Sequence, residues 1–212
     1  MAVSTAVDVS AAPVAVAAGD APTGDEAIDA TDAAAPQAPQ ALTRDIAIKR
    51  LLAAHEAYYD VTRDYAFEGR QFAGYAEFHS HGEQYVLSRR AKLWEVDAHE
   101  YIFFDSVAHL TDAYLVDAVQ FVETKGIAKV KPVPNHMQSF LTLVIVADEV
   151  DDAAAKTARH QRFRKNFALG IRGWADLRLA IVNLSDNGII TNGMGKELRE
   201  TLEANVSLPT QG

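Results

Sequence analysis

The chain contains no cysteine. That excludes disulfides, thiolate zinc sites and cysteine nucleophiles, and it suits a reducing cytoplasm, the expected location. Long apolar runs are missing too. The longest, Phe140 to Ala147, is interrupted by Thr142 and has the length of a strand, against roughly 18 residues for a membrane helix. No Lys or Arg precedes Arg44, and the Ala/Val stretch near residues 11–18 is broken by Pro13. A secretory signal, which needs a basic start and an unbroken apolar stretch, is not expected, and neither is a membrane partner.

The first 42 residues are also poor in anything that builds a core. They hold no Tyr, Phe, Trp or Leu before Leu42, but 15 Ala and four of the seven prolines. Such a segment cannot bury enough apolar surface to offset its ordering entropy. A disordered acidic tail is expected over 1–42, one folded domain over 43–206 and a flexible end over 207–212. The tail carries six acids (Asp8, Asp20, Asp25, Glu26, Asp29, Asp32), so much of the net charge of −9 belongs to it. From residue 43 onward 23 acids face 20 bases. The folded part is close to neutral, and its partners are not to be read from the overall charge.

Periodicity supplies the elements. Thr43 is a good N-cap, and Ile48, Leu51, Leu52, His55 and Tyr59 mark one face of a helix reaching about residue 58. Strands are expected at about 67–80, 83–95 and 99–105, with His81-Gly82 as the turn between the first two. Thr111 and Asp112 open a helix to about 124. Ser139 to Ala147 is apolar on both alternating faces and reads as a central strand buried on both sides. Asp148 is the expected N-cap of a helix at about 150–161. Strands at about 165–171, 176–185 and 189–191 follow, with Asn187-Gly188 suited to a type I′ turn, and a last helix starts at Asn192. The order α-βββ-α-β-α-βββ-α predicts an α/β chain of the α+β type, with a mixed sheet flanked by helices. Its two similar halves leave room for an internal duplication.

The residues Leu141-Thr142-Leu143-Val144 with Ala147-Asp148, Arg162-Phe163-Arg164-Lys165, Gly173-Trp174, Arg178-Leu179 and Thr191-Asn192 with Gly195-Lys196 resemble an uncharacterised bacterial domain family, a domain of unknown function. Tyr58-Tyr59-Asp60, Tyr85-Val86-Leu87 and Ala91-Lys92-Leu93-Trp94 belong to the same likeness, which spans about 43–205. It implies no activity, cofactor or catalytic residue.

Four constellations carry chemistry. His79, His81 and Glu83 bring two imidazoles and a carboxylate together and are the candidate metal ligands. They resemble half of a cupin signature, but with too short a gap before the Glu, in a chain too helical for that all-β fold. Gly188 to Lys196 resembles a phosphate loop, but Met194 and Glu197 stand where the motif needs Lys and a hydroxyl. What remains is a glycine-rich helix start with Lys196. The run Lys156, Arg159, Arg162, Arg164, Lys165 and Arg172, interleaved with His160 and Phe163, is the densest positive region. Arg159, Arg162, Arg164 and Lys165, with Lys196, are its candidate anion-binding residues. The acids Asp148, Glu149, Asp151 and Asp152 lie just upstream: on the same face they would oppose a polyanion, and at the helix N-terminus, with the bases near its C-terminus, they would complement the helix dipole. Finally, the element order resembles PD-(D/E)xK nucleases, for which Glu77, Glu95 and Asp97 with Lys92 would have to serve, because the one Glu-x-Lys, Glu123 to Lys125, falls at the end of an expected helix.

No nucleophile elbow or dinucleotide loop is present. His55 on its apolar helix face reads as a hydrogen-bonded core histidine. Trp94 and Trp174 read as packing residues. The expected function is a cytoplasmic, non-enzymatic binding or regulatory domain without a cofactor. The rival readings are a metal-dependent hydrolase or nuclease, and a binder of nucleic acid or an anionic ligand through residues 156–172. A sheet with an open edge would also suit a homo-oligomer.

Overall fold

The computed structural model describes residues 42–79, 98–132 and 137–206. Residues 1–41 and 207–212, where the tail and the flexible end are expected, lie outside that set. Thr43 caps the first helix, α1 (Arg44–His55), its hydroxyl accepting from the Ile46 amide. Strands β1 (Asp60–Phe67), β2 (Arg70–His79) and β3 (Ala98–Leu110) form an antiparallel meander. Helix α2 (Asp112–Thr124) follows, capped by Thr111. Then come β4 (Gln138–Val150), α3 (Asp152–His160), β5 (Arg164–Asn166), β6 (Trp174–Asn183), β7 (Gly188–Thr191) and α4 (Leu198–Val206). This is the expected element order, an α+β fold.

Three parallel strands form the centre of the seven-stranded sheet, β4 lying between β3 and β6. β1 and β2 extend it on one side. On the other, β5 and β7 share the single outer edge of β6, so the two strand triplets pair differently despite their similar order. The double-sided apolar pattern of β4 has its expected cause. Leu141, Leu143, Ile145 and Ala147 face α2 and α3, while Val144 and Val146 face α1 and α4. Burying each such aliphatic side chain contributes about 1.5–3 kcal/mol.

Several boundaries differ from the sequence reading for identifiable reasons. The first hairpin turns at Glu68-Gly69, both left-handed (φ 47° and 84°), with Phe67 facing Arg70. Two residues between paired strands with that backbone make a type I′ turn, which Glu-Gly signals less strongly than Asn-Gly. The single strand expected at 67–80 is therefore the second arm of a hairpin whose first arm starts at Asp60. The His81-Gly82 turn and the strand expected at about 83–95 lie outside the described residues. Asp148 is not an N-cap, because β4 stays paired with β3 as far as Val150; its carboxylate takes the Arg44 guanidinium at 2.9 Å instead. α3 starts after Asp151. Asn187 is left-handed (φ 52°), but Gly188 already pairs with Asn183, so the β6–β7 turn is four residues long and Asp186 Oδ1 accepts the Gly188 amide. Before α4 a 3-10 turn spans Met194–Glu197.

Both edges of the sheet are charged. β1 exposes Arg63 and Asp64, and all three residues of β5 are exposed, which discourages edge-to-edge pairing. The β5–β6 connection is a tight loop in which Ala168 (φ 46°) and Leu169 (φ 57°) are left-handed, at a cost of about 1 kcal/mol each. Lys129, in a 3-10 turn after α2, places its ammonium 4.6 Å from the Tyr75 ring centre and 5.3 Å from those of Tyr65 and Phe67.

Two predictions follow from this packing. An added Cβ at Gly74 of β2 would lie 2.6 Å from Cδ2 of Leu52, a buried residue of α1. Gly74→Ala should cost about 1–3 kcal/mol by overpacking and Leu52→Ala about 2–5 kcal/mol by cavity formation. Denaturant melts of the double variant should show clearly less than the sum. Burial raises the pKa of Tyr101 and Tyr114 to about 12 and pushes Tyr59 and Tyr75 higher still, with help from Glu100 and Glu77. Raised folded-state values give stability that is present below pH ~10 and lost as pH rises through the window to about 12. Tyrosinate absorbance should therefore develop for these four only together with alkaline unfolding.

Candidate anion-binding edge

The outer edge of β6 is shared by two short strands that do not meet. β5 pairs with Trp174 to Asp176 and β7 with Ala180 to Asn183, leaving Leu177 to Leu179 between them. Leu177 and Leu179 are fully buried, so their polar backbone groups need partners. The Leu177 amide donates to the Phe163 carbonyl (3.2 Å). Asn192 supplies most of the rest. Its Oδ1 accepts from the Leu179 amide (3.1 Å), its Nδ2 donates to the Leu177 carbonyl (2.9 Å), and its own amide donates to the Leu179 carbonyl (3.1 Å). One buried side chain thus stands in for a stretch of strand. Its Oδ1 also accepts from the Gly195 amide (2.7 Å), and its Nδ2 from the other side reaches the Gln161 carbonyl (3.3 Å).

That arrangement draws residues 161–164 and 193–195 together around a cleft of about 480 Å³. Its walls are Gln161, Arg162, Phe163, Arg164, Asp176, Gly193 and Met194. Asp176 is almost fully buried and saturated. Arg164 holds it with two bonds (2.6 and 2.8 Å), and Trp174 Nε1 and Gln138 Nε2 donate at 3.1 and 3.2 Å. The bonds to Asp176 raise the Arg164 pKa further, and its guanidinium lies 5.2 Å from the Trp174 ring centre. Arg164 is therefore a fixed, neutralised wall rather than an available cation.

Arg162 is exposed at the cleft and, among the described residues, has no carboxylate partner; Lys196, in the turn that follows Met194, is likewise exposed. Arg159 and Lys165 are exposed without lining the cleft, Arg159 in the last turn of α3 and Lys165 in β5. The upstream acids stay away from the bases. Asp151 precedes α3 and pairs with His109 (2.7 Å), and Asp148 pairs with Arg44, so acids and bases occupy opposite ends of the helix. The glycine-rich loop is not a phosphate cradle. A Cβ at Gly195 would lie 2.4 Å from the Leu179 carbonyl oxygen, so this glycine allows the turn to close on β6.

The metal candidates fare differently. His79 ends β2 opposite His99, whereas His81 and Glu83 lie outside the described residues, as do Lys92, Glu95 and Asp97. Glu77 accepts from the Tyr75 hydroxyl (2.5 Å) and faces Lys129 at 3.9 Å. Glu123 is on α2 as expected and accepts from Gln161 (2.6 Å); burial raises its pKa. Among the described residues no three His, Asp or Glu side chains are grouped to hold a metal ion. His55 is the core histidine expected, Nδ1 donating to the Leu51 carbonyl (2.7 Å) with its ring edge-on to Phe104.

Sequence reasoning missed the buried Glu100, which accepts from Tyr59 (2.9 Å), Thr142 (2.7 Å) and Arg178 (3.2 Å). Arg178 continues to Glu197 (2.9 Å) and packs on the Phe140 ring. The one available signal was an Arg within the otherwise apolar stretch Leu177 to Val182 of β6. Asn192 gave no signal, because an amide patching a sheet edge has no sequence motif.

If Asn192 serves the sheet edge as described, Asn192→Ala leaves buried backbone groups unpaired and should cost about 2–4 kcal/mol in chemical denaturation. Gly195→Ala, pressed against backbone, should also destabilise, whereas Gly193→Ala, with open space around it, should change stability by less than about 1 kcal/mol.

No curated protein and no solved structure matches the chain. No helix among the described residues is long and apolar enough to cross a membrane. One family model, described as a domain of unknown function (DUF8052), matches residues 44–204, from the start of α1 almost to the end of α4. Among the described residues the match takes in every strand of the sheet and the helices up to the last two residues of α4, and the chain belongs to the DUF8052 family.

Proposed function

We propose that this is a non-enzymatic binding domain of the cytoplasm and that its cleft beside β6 takes an anionic, phosphate-bearing ligand. One observation carries the reading. Two segments some thirty residues apart, the basic run at Arg162 and the turn at Gly193–Met194 that leads to Lys196, converge on one cleft. Among the described residues that line the cleft one is a carboxylate, Asp176, and it is already saturated by Arg164, Trp174 and Gln138. Arg162 lines the cleft with no carboxylate partner among the described residues, Lys196 follows the lining Met194 by two residues and is exposed, and Phe163 and Met194 add apolar surface to the walls. Cations next to apolar and aromatic surface suit a phosphate attached to a flat base, as in a nucleotide or single-stranded nucleic acid. The binding reading is also supported by the state of the buried acids Glu100, Asp105 and Asp176. Each accepts from two or more side chains of neighbouring elements, as structural anchors do.

The test is fluorescence anisotropy with a labelled single-stranded oligonucleotide, and a nucleoside triphosphate as competitor. Affinity should fall steeply with salt. Arg162→Ala and Lys196→Ala should each weaken binding several-fold and flatten the salt slope by about one. No binding at low salt, or binding indifferent to both substitutions, would overturn the proposal.

A further inference from the structure

A second hollow, of about 400 Å³, lies in the seam between α2 and α3. Helical spacing brings Val116, Val119 and Glu123 of α2 to one wall, in steps of three and four residues. The facing wall belongs to α3, which contains no large apolar side chain and packs through the buried Ala154, Ala155 and Ala158. Beyond those alanines it offers Thr157 and its C-cap Gln161, so the seam stays partly unfilled. Leu115 of α2 and Leu179 of β6, both fully buried, form the floor, and Val116, 48% exposed, stands at the mouth.

Among the described residues that line this hollow, Glu123 alone is charged. Its Oε1 accepts from Gln161 Nε2 at 2.6 Å. That donor is fixed in place, because the Gln161 amide donates to the Ala158 carbonyl and the Gln161 carbonyl accepts from Asn192. The second oxygen, Oε2, takes no hydrogen bond among the described residues and is not sealed from solvent. No Lys, Arg or His among the described residues pairs with the carboxylate. Burial raises the Glu123 pKa, and the neutral amide of Gln161 offsets this only in part. A half-buried carboxylate in an apolar seam is costly when its one partner is neutral, and a cation beside it offsets that cost.

We infer that the hollow between α2 and α3 binds a small protonated amine, its ammonium donating to Glu123 Oε2 and its hydrocarbon body lying on Leu115, Val119 and Leu179. Charge complementarity selects the head group. The carboxylate repels an anion, and a neutral ligand leaves it uncompensated. The apolar lining selects the body, and a hollow of this volume that reaches the fully buried Leu179 has the dimensions of a small-molecule site. The inference goes beyond the anion-binding cleft and does not depend on it.

The experiment is titration of the full chain with hexylammonium, followed by the backbone amide shifts in NMR, with hexanol, hexanoate and a short lysine peptide as comparison probes. The expected result is saturable binding of hexylammonium with the largest shifts in α2 and α3 around Glu123 and Gln161. Hexanol should bind more weakly and hexanoate not at all. Glu123→Gln keeps an acceptor for Gln161, so the melting temperature and the oligonucleotide affinity should stay unchanged. It should weaken hexylammonium binding about tenfold or more and leave hexanol binding as it was, which a merely structural role for Glu123 would not do. Absence of saturable hexylammonium binding overturns the inference. So does an affinity unchanged by Glu123→Gln, or a set of largest shifts outside α2 and α3. Hexanoate binding as tight as that of hexylammonium overturns it in favour of a carboxylic acid held by a protonated Glu123. Tighter binding of the lysine peptide overturns it in favour of a protein partner.

Discussion

A strand buried on both faces must pair its backbone along both edges, and β6 meets that demand on its outer edge with three unlike partners. β5 covers its first residues, β7 its last, and the Asn192 side chain the buried stretch at Leu177 and Leu179. Each backbone group left unpaired there would cost about 1–3 kcal/mol. The requirement therefore fixes where the chain passes before β5 and after β7. Gln161 and Gly195 are both bonded to the same amide, so the positions of Arg162 and Met194 relative to each other follow from a structural need. The cleft exists because the edge had to be closed by a side chain and not by a continuous strand.

A second constraint concerns charge. Buried carboxylates are costly unless several donors reach them. Here each takes its donors from more than one element. Asp105 on β3 accepts from Arg70 of β2 and Tyr114 of α2. Glu100 ties α1's following residue Tyr59 to β4 and β6 through Thr142 and Arg178. Asp176 joins β4's Gln138 to β5's Arg164. These acids specify which strands lie side by side. Of the candidate cations, Arg159, Arg162, Lys165 and Lys196 are exposed, at the end of α3, around β5 and in the turn after β7.

The sequence showed the element order well, because that order rests on local periodicity and caps. The double-sided run of β4 and the capping threonines Thr43 and Thr111 acted as their residue types predict. Boundaries failed where tertiary pairing overrode a local signal. Asp148 is a good cap by residue type, but β3 holds it in a strand and Arg44 claims its carboxylate. Glu68-Gly69 turns the first hairpin although its turn signal is weaker than that of His81-Gly82 or Asn187-Gly188. The candidate cations were legible as a dense basic run. Their sorting was not, because whether an arginine is neutralised depends on a partner such as Asp176, twelve residues from Arg164. The exposure of Leu169 and Ile171 was hidden for a similar reason. Within the sequence they read as part of a strand at 165–171, whereas β5 ends at Asn166 and leaves them in the loop.

Ligands of open α/β sheets commonly sit outside the carboxyl ends of the parallel strands. In this domain that end is spanned by other contacts. Arg44 at the start of α1 bonds Asp148 and Ser106 at the ends of β4 and β3. His109 bonds Asp151, whose amide donates back to the Leu110 carbonyl and ties the start of α3 to β3. Two helix starts are thus fastened across the usual crevice. The cleft lies instead along the outer edge of β6, and the apolar loop at its amino end, both bordered by the three-residue β5. A strand that short, with all its side chains exposed, adds little to the core. Its contribution is to carry Arg164 onto Asp176 and to set the base of the loop, so the part of the sheet with the least structural burden is the part whose surface chemistry is free to serve binding.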